Sequence, residues 1–572
     1  MHVAVIGAGP AGLVTIKELL EEGHTVTCFE RTGDLGGVFR FHERDGGVFE
    51  STRLTSSTFI TCFSDFPPPR NAPLHFKHTE YLGYLQHYAE HFTLLPRIRF
   101  HHDVEQVERA ANGLWTLRVR DLSAQTVQTY TVDAVAVCSG THQKPVMSQI
   151  PNQAAFTGVI MHSNSYKRPA PFHGKRVLVV GGGESGSDIV EEVATVATAC
   201  ALSLRRGVLV IPRLILGLPN DYYTERLFYT LPPWVFRTKP PGSNVPRAVL
   251  LIMSQPVLII PVVLLVSGMA RLTAGLKLVE WICLLGTWML LFFIFAQIVK
   301  FLTSVATPKD MRLIMQFIAR SGADHGEQFA TKTLGAVKAI ARGRCALKPP
   351  IREFTKDGVR FVDGSTYDAD AVIFCTGFVP SCVFLGRQTI DVRTLYKNCF
   401  DVTLGSTVCF VGFARPAIGA IPPIAEMQAR WFAHLLSGHS TLPPAEVMRE
   451  EIKKDAALHR EMFRVVTDRL SGLVDYTSYM DQLAEFIGCK PTLKELWREP
   501  KLLFRVHFCP FSGHQYRLRG PHSKKAIAKT VLYRLRIGPI RRLEGYGILC
   551  FVVTAACLYR LGFRQFKPSL RL

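Results

Sequence analysis

The chain has 572 residues, 48% hydrophobic and 20% charged, enough for two or three domains around a large core. Its 14 cysteines are scattered without a C-x-x-C pair, which argues against a disulfide framework or a zinc site and for reduced thiols in a cytosol-facing enzyme. The net charge is +21, unevenly spread, and Met1-His2 runs directly into apolar sequence with no basic leader, so no cleaved signal is predicted.

Val3-Ala4-Val5-Ile6 has the length and β-branching of a buried parallel strand. Gly7-Ala8-Gly9-Pro10-Ala11-Gly12 follows at once and opens helix-like sequence. G-x-G-x-x-G in that setting binds a pyrophosphate. Gly7 makes the tight turn, Gly9 lets the backbone approach the phosphates, and Gly12 lets helix pack on strand. The next strand runs from Thr25 to Glu30. A carboxylate at its end accepts ribose hydroxyls and repels a 2′-phosphate, which favours FAD or NAD over NADP. The turn Asp34-Leu35-Gly36-Gly37-Val38-Phe39 is glycine-rich enough to pass close to that cofactor. Another apolar strand with a glycine turn spans Val135 to Gly140.

A second fingerprint follows Val177-Leu178-Val179-Val180: Gly181-Gly182-Gly183-Glu184-Ser185-Gly186, then a helix beginning Ser187-Asp188-Ile189. Its next strand, Ala201 to Leu204, ends in Arg205-Arg206-Gly207. Arginine there pairs its planar fork with a 2′-phosphate. Two fingerprints in context imply two dinucleotides on one chain. Opposite charges at equivalent positions assign FAD to the first site and NADPH to the second.

No charged residue occurs from 248 to 270 or from 281 to 299, and Arg271 and Lys277 lie between the two stretches. Both approach the ~20 residues needed to cross hydrocarbon, so they read as an apolar helical hairpin, with Pro256 and Pro261 kinking its first arm. Near the other end, nine Lys and Arg with no Asp or Glu lie between Arg517 and Arg542, before the apolar run Gly545 to Tyr559. Basic residues beside apolar sequence predict an anionic membrane surface as partner rather than nucleic acid.

Between the fingerprints, Phe156-Thr157-Gly158 and His162-Ser163-Asn164-Ser165-Tyr166 resemble the F-x-G-x-x-x-H-x-x-x-[YF] motif of flavin-containing monooxygenases, the class B flavoprotein family of dimethylaniline-monooxygenase type. The resemblance extends over nearly the whole chain. It includes Cys62-Phe63-Ser64-Asp65-Phe66-Pro67, Asp370 to Phe378, Val474-Asp475-Tyr476 with Tyr479-Met480-Asp481, and Gln515-Tyr516-Arg517-Leu518. It implies that NADPH reduces FAD, that O2 adds at flavin C4a, and that the hydroperoxide passes one oxygen to a soft nitrogen or sulfur of a small lipophilic substrate. It also implies a structural role for His162 between the two domains, and an endoplasmic-reticulum anchor with the catalytic domains facing the cytosol.

Aligning this segment with the family puts Thr55 where the asparagine beside flavin C4a and NADP usually stands, within Arg53-Leu54-Thr55-Ser56-Ser57. Asparagine offers a donor and an acceptor on one amide, whereas threonine offers a shorter hydroxyl. Thr55 is therefore the candidate catalytic position, with Leu54 and Ser56 as cofactor neighbours. Phe39 stands where the family usually has Trp and Glu184 where it has Asn; the latter is expected to weaken NADPH binding.

The predicted fold is α/β, with two Rossmann-like domains, an apolar hairpin insertion and a C-terminal membrane anchor. Residues 1–155 open the FAD domain, 156–370 form the NADPH domain around the insertion at 248–299, 371–514 return to the FAD domain, and 515–572 hold the basic segment and anchor. Cofactor contacts are expected from Gly7 to Gly12, Glu30, Gly37, Val38, Phe39, Leu54, Thr55 and Ser56. At the second site they are expected from Gly181, Gly183, Ser185, Gly186, Ser187, Asp188, Arg205 and Arg206. Three readings stay open at this stage: an N- or S-oxygenating monooxygenase, a Baeyer–Villiger oxygenase or uncoupled oxidase on the same fold, and a non-catalytic membrane adaptor. A homo-oligomer also stays open.

Overall fold

Ten short strands with mostly apolar sequences form two parallel sheets. They are β1 (His2–Ile6), β2 (Thr25–Phe29), β3 (Ile98–Arg99), β4 (Ala134–Val137), β5 (Val159–His162), β6 (Arg176–Val180), β7 (Ala199–Ser203), β8 (Ala346–Lys348), β9 (Ala371–Phe374) and β10 (Val408–Phe410). The computed structural model describes residues 1–226, 331–463 and 472–536, apart from Asp45, Arg206, Leu209, Leu216 and Ala417, together with Ile314 and Phe317. The first sheet has the order β10-β4-β1-β2-β3 and the second β8-β7-β6-β9-β5. Every neighbouring pair in both is parallel. Val3, Ala4 and Val5 of β1 and Val177, Leu178 and Val179 of β6 are fully buried. Central parallel strands read as continuous apolar runs because both of their faces are covered.

Each sheet carries its own antiparallel three-stranded ribbon. His102–Arg109, Trp115–Asp121 and Thr126–Val132 form the first. Val104, Val107, Trp115, Leu117, Val119 and Val132 alternate inward from it onto Ala4, Ile6, Phe29, Val135 and Val137 of the first sheet. Ile351–Thr355, Gly358–Phe361 and Thr366–Asp368 form the second. There Phe354, Val359 and Phe361 cover Leu178, Ala201, Val372 and Phe374. No repeat is visible in the sequence, yet the architecture is used twice.

The first sheet is assembled from distant parts of the chain, because β10 pairs with β4 only after the whole second sheet has intervened. Helix α1 (Pro10–Glu21) packs on the sheet between β1 and β2. Helix α2 (Glu184–Val196) occupies the corresponding place after β6, and α3 (Ile421–Leu436), from the returning chain, lies along α1.

Among the described residues no helix is long and apolar enough to cross a membrane. The stretches 248–270, 281–299 and 545–559 lie outside the described residues, as does Arg206. The basic run is described as far as Arg536, and much of its charge is engaged within the protein. Arg519 pairs with Glu495 (3.1 Å), Lys524 with Glu21 (3.0 Å), Lys525 with Glu499 (3.2 Å), and Lys529 also with Glu499. Arg517 is fully buried. The other four basic side chains stay at the surface, 30–54% exposed.

Candidate active site between two glycine-capped helices

Both fingerprint helices start without a side-chain cap. Gly9 is the N-cap of α1, with Pro10 in the first turn, and Gly183 is the N-cap of α2. The first-turn N–H groups are thereby left for an anion. Gly7 and Gly181 turn at φ +101° and +109°. A Cβ on Gly12 would stand 1.8 Å from Gly7 O, and one on Gly186 2.0 Å from Gly181 O. A Cβ on Gly9 would meet only Gly37, at 3.6 Å. So the turn is closed where helix meets strand and open where a pyrophosphate would lie, and these residues fit a dinucleotide.

At the first site Glu30 directly follows β2, against the turn. Its Oε2 accepts Ala8 N–H (2.7 Å), and its Oε1 accepts Thr32 N–H (2.9 Å) and the Thr32 hydroxyl (2.8 Å). Those donors fix the carboxylate beside Gly7 and Ala8. Gly36 N–H donates to Ala8 O (3.0 Å), which brings Gly37, Val38 and Phe39 against the fingerprint. Phe39 meets Tyr81 edge-on at 4.7 Å, and its carbonyl is 3.3 Å from His78 Nδ1. The same stretch holds the Thr55 loop: His78 N–H donates to Thr52 O (3.0 Å) and Leu54 N–H to Phe76 O (2.9 Å). Thr55 is half-buried, and Ser56 is buried with its hydroxyl 2.8 Å from that of Thr61. Gly412, which the sequence reading missed, also walls this site; its Cβ would stand 3.0 Å from that of Ala11. An apolar strand ending in glycine, Val408 to Gly412, was the available signal.

At the second site Gly181, Gly183, Ser185 and Gly186 surround the start of α2. Ser187 and Asp188 brace neighbouring chain instead. The Ser187 hydroxyl accepts Ala336 N–H (3.0 Å), while Asp188 pairs with Arg213 (2.9 Å) and accepts the Thr333 hydroxyl (2.6 Å). Arg205 is exposed just past β7 and lines a cleft of about 660 Å³ with Lys348 and Asp363. His162 ends β5 against Phe378, edge-on at 5.0 Å, and its Nδ1 accepts Asn164 N–H (3.2 Å). Burial holds its pKa below the usual histidine value. Tyr166 of the same motif donates to Glu192 of α2 (2.7 Å) and stacks on Phe172. The motif packs the start of the second unit.

One further loop joins the two units. Asp221, fully buried, accepts Ser57 N–H on Oδ2 (2.7 Å), two residues beyond Thr55. Burial raises its pKa, against the pull of Lys332. Neither residue carries a local sequence pattern, so neither was foreseen.

The family described as flavin-binding monooxygenase-like matches residues 1–233 and 331–537, leaving the apolar hairpin unmatched. A 4-hydroxybenzoate brominase (decarboxylating) of Pseudoalteromonas luteoviolacea (strain 2ta16) is 33% identical over 531 residues, covering 93% of this chain and 92% of the relative. Flavin-containing monooxygenase 2 of Homo sapiens is 31% identical over 540 residues, covering 91% and 89%. The solved structure of S-allyl-L-cysteine S-oxygenase from Allium sativum shares the fold at TM-score 0.58 and 21% identity, over 93% of this chain and 99% of that one. With the two glycine-capped helices, these matches identify the chain as a member of the flavin-binding monooxygenase-like family and a flavin-dependent monooxygenase.

Proposed function

We propose that the chain uses NADPH and O2 to place one oxygen atom on a soft nucleophilic nitrogen or sulfur of a small lipophilic substrate. FAD belongs at Gly7–Gly12 and NADPH at Gly181–Gly186. The observation that carries this reading is the charge inversion between two otherwise equivalent sites, Glu30 after β2 and Arg205 after β7. Bound flavin supplies the electron transfer and the O2 chemistry. The chain's own residues hold and exclude: Glu30 takes ribose hydroxyls, the free N–H groups of α1 and α2 take phosphates, and the Ser57–Asp221 hydrogen bond fixes the Thr55 loop to the nicotinamide side. Attachment to the endoplasmic-reticulum membrane through 248–299 and 545–559 completes the reading, supported by their uncharged sequence.

The reading is tested by NADPH consumption against a thioether, a tertiary amine, a ketone, and bromide with 4-hydroxybenzoate, with H2O2 measured in parallel. The last pair is included because the brominase relatives make a halide ion another soft acceptor. Oxygenated thioether or amine supports the proposal; product from the ketone or bromide alone replaces it. If flavin is not bleached by NADPH, the nicotinamide assignment fails. Replacing both Arg205 and Arg206 by Ala is expected to raise the KM for NADPH about 100-fold and leave that for NADH within about twofold, as two charge-assisted bonds of about 1.5 kcal/mol each require. Equal losses for both nucleotides would remove the 2′-phosphate assignment.

Thr55 favours a second reading, uncoupled oxidation of NADPH to H2O2, because one hydroxyl replaces an amide at the reacting edge of the flavin. Thr55→Asn is then expected to lower the share of NADPH lost as H2O2 by about threefold, the worth of one hydrogen bond. An unchanged share would show that position 55 does not set coupling.

A further inference from the structure

Lys332 is an ammonium in a place where ammonium groups are rarely left. It is only 6% exposed, and no described residue gives its side chain a hydrogen bond or ion pair. Three consecutive residues strap this segment to the start of α2, two through hydroxyls and Lys332 through its backbone N–H. Thr331 donates to Gly182 O (3.0 Å), Lys332 N–H to Glu184 Oε1 (2.8 Å), and Thr333 to Asp188 Oδ1 (2.6 Å). The side chain lies in the field of Asp221, Glu184 and Arg415.

Unmatched polar atoms gather around it. Asp221 Oδ1, Glu184 Oε2, Ser57 Oγ, His75 Nε2 and Arg213 Nε are all buried without a hydrogen-bond partner. Each such group carries a desolvation penalty, and native folds keep them few. Here they cluster at the start of the second fingerprint helix and on the loop holding Thr55. Burial lowers the pKa of Lys332 and raises those of Asp221 and Glu184, so desolvation works against the charge on each of them. An apolar substrate satisfies none of these atoms. A ligand bearing both phosphate oxygens and hydroxyls satisfies donors and acceptors alike.

We propose that Lys332, with Asp221 and Glu184 beside it, forms a mixed-charge subsite for the diphosphate and nicotinamide-side ribose of NADPH, so that this chain reads the middle of the dinucleotide as well as its 2′-phosphate end. This rests on the second fingerprint being the NADPH site. It also accounts for Glu184 where a neutral asparagine is usual: the acid near the phosphates is answered by a cation contributed from the strap that hydrogen-bonds it.

The test is calorimetric titration of the FAD-loaded full chain with NADP+ and with 2′,5′-ADP, which lacks the diphosphate bridge and the nicotinamide half. Lys332→Met is expected to weaken NADP+ about tenfold or more and to leave 2′,5′-ADP within about twofold, whereas Lys332→Arg stays within about threefold for both. If the Met variant does not hold FAD, Lys332→Gln carries the same comparison. NADP+ affinity within twofold of wild type in the uncharged variant, or equal losses for the two ligands, overturns the proposal. Failure of the wild-type protein to bind NADP+ at all would instead sink the assignment of the second site.

Discussion

Arg517→Met is expected to yield a protein that melts far below wild type and retains little flavin. Arg517 is fully buried and meets four carboxylates: Glu18, Glu426 (2.8 Å), Asp65 (3.3 Å) and Glu21 (3.9 Å); its Nε also donates to the Ser64 hydroxyl (2.8 Å). Lys17 completes the network on Asp65 (2.5 Å) and Glu18 (3.2 Å). Removing one partner from a buried ionic network leaves uncompensated charge and costs about 3–5 kcal/mol, a large part of the 5–15 kcal/mol that holds an ordinary domain together. Arg517→Lys keeps the charge and loses the fork, so an intermediate loss is expected.

Glu18 sits on α1, whose other end is the pyrophosphate turn, so flavin retention and melting temperature are the two readouts. Acid tests the same network. Arg517 and Lys17 hold the Glu18 carboxyl down to about 2 from its ordinary 4.5. Its contribution is thus complete above about pH 4.5 and is lost as pH falls toward 2. Glu426, raised by burial, works in the opposite sense. A melting temperature within 2–3 °C of wild type for Arg517→Met would mean the network is dispensable, since about 1 kcal/mol already shifts a large domain by that much.

The second large effect separates the two nucleotide sites. Gly12→Ala drives a methyl to 1.8 Å from Gly7 O, and Gly186→Ala drives one to 2.0 Å from Gly181 O. Backbone cannot yield as a side-chain tip does, so each turn must open, and the expected loss in nucleotide affinity is about 100-fold or more. The consequences differ. Gly12→Ala should be colourless as purified. Gly186→Ala should be yellow, and its flavin should resist bleaching by NADPH under anaerobic conditions while dithionite still reduces it. If both variants are colourless, or both are reduced normally by NADPH, the division of cofactors between the fingerprints is wrong.

What could be read from the chain was what lies close together along it. Val3 to Gly12 and Val177 to Gly186 each contain a strand, a turn and a helix start, so their geometry is written locally. Glu30 and Arg205 follow by counting to the end of the next strand. The antiparallel ribbon over each sheet was not foreseen, because its strands are short and half-polar, and Thr126–Val132 is exposed along most of its length. The Arg517 network was invisible for another reason. Ser64, Asp65 and Arg517 were all noticed, as parts of separate signatures, but nothing in either stretch says that they meet. The ion pairing of the basic run was hidden in the same way: its sign was plain, whereas its acidic partners, Glu21, Glu495 and Glu499, lie elsewhere in the chain. Asp221 and Lys332 matter only where three segments converge, and no window along the sequence contains all three.

The distance between Glu18 and Arg517, 499 residues, sets the order in which this protein can be made. While the ribosome is still reading the second sheet, the first lacks β10, α3 and the arginine that neutralises its buried acids. The amino-terminal third must wait, with its apolar surface uncovered, until almost the whole message has been translated. A premature stop anywhere before Arg517 therefore yields no smaller working flavoprotein, only a half-built one for the cell's chaperones and proteases to clear.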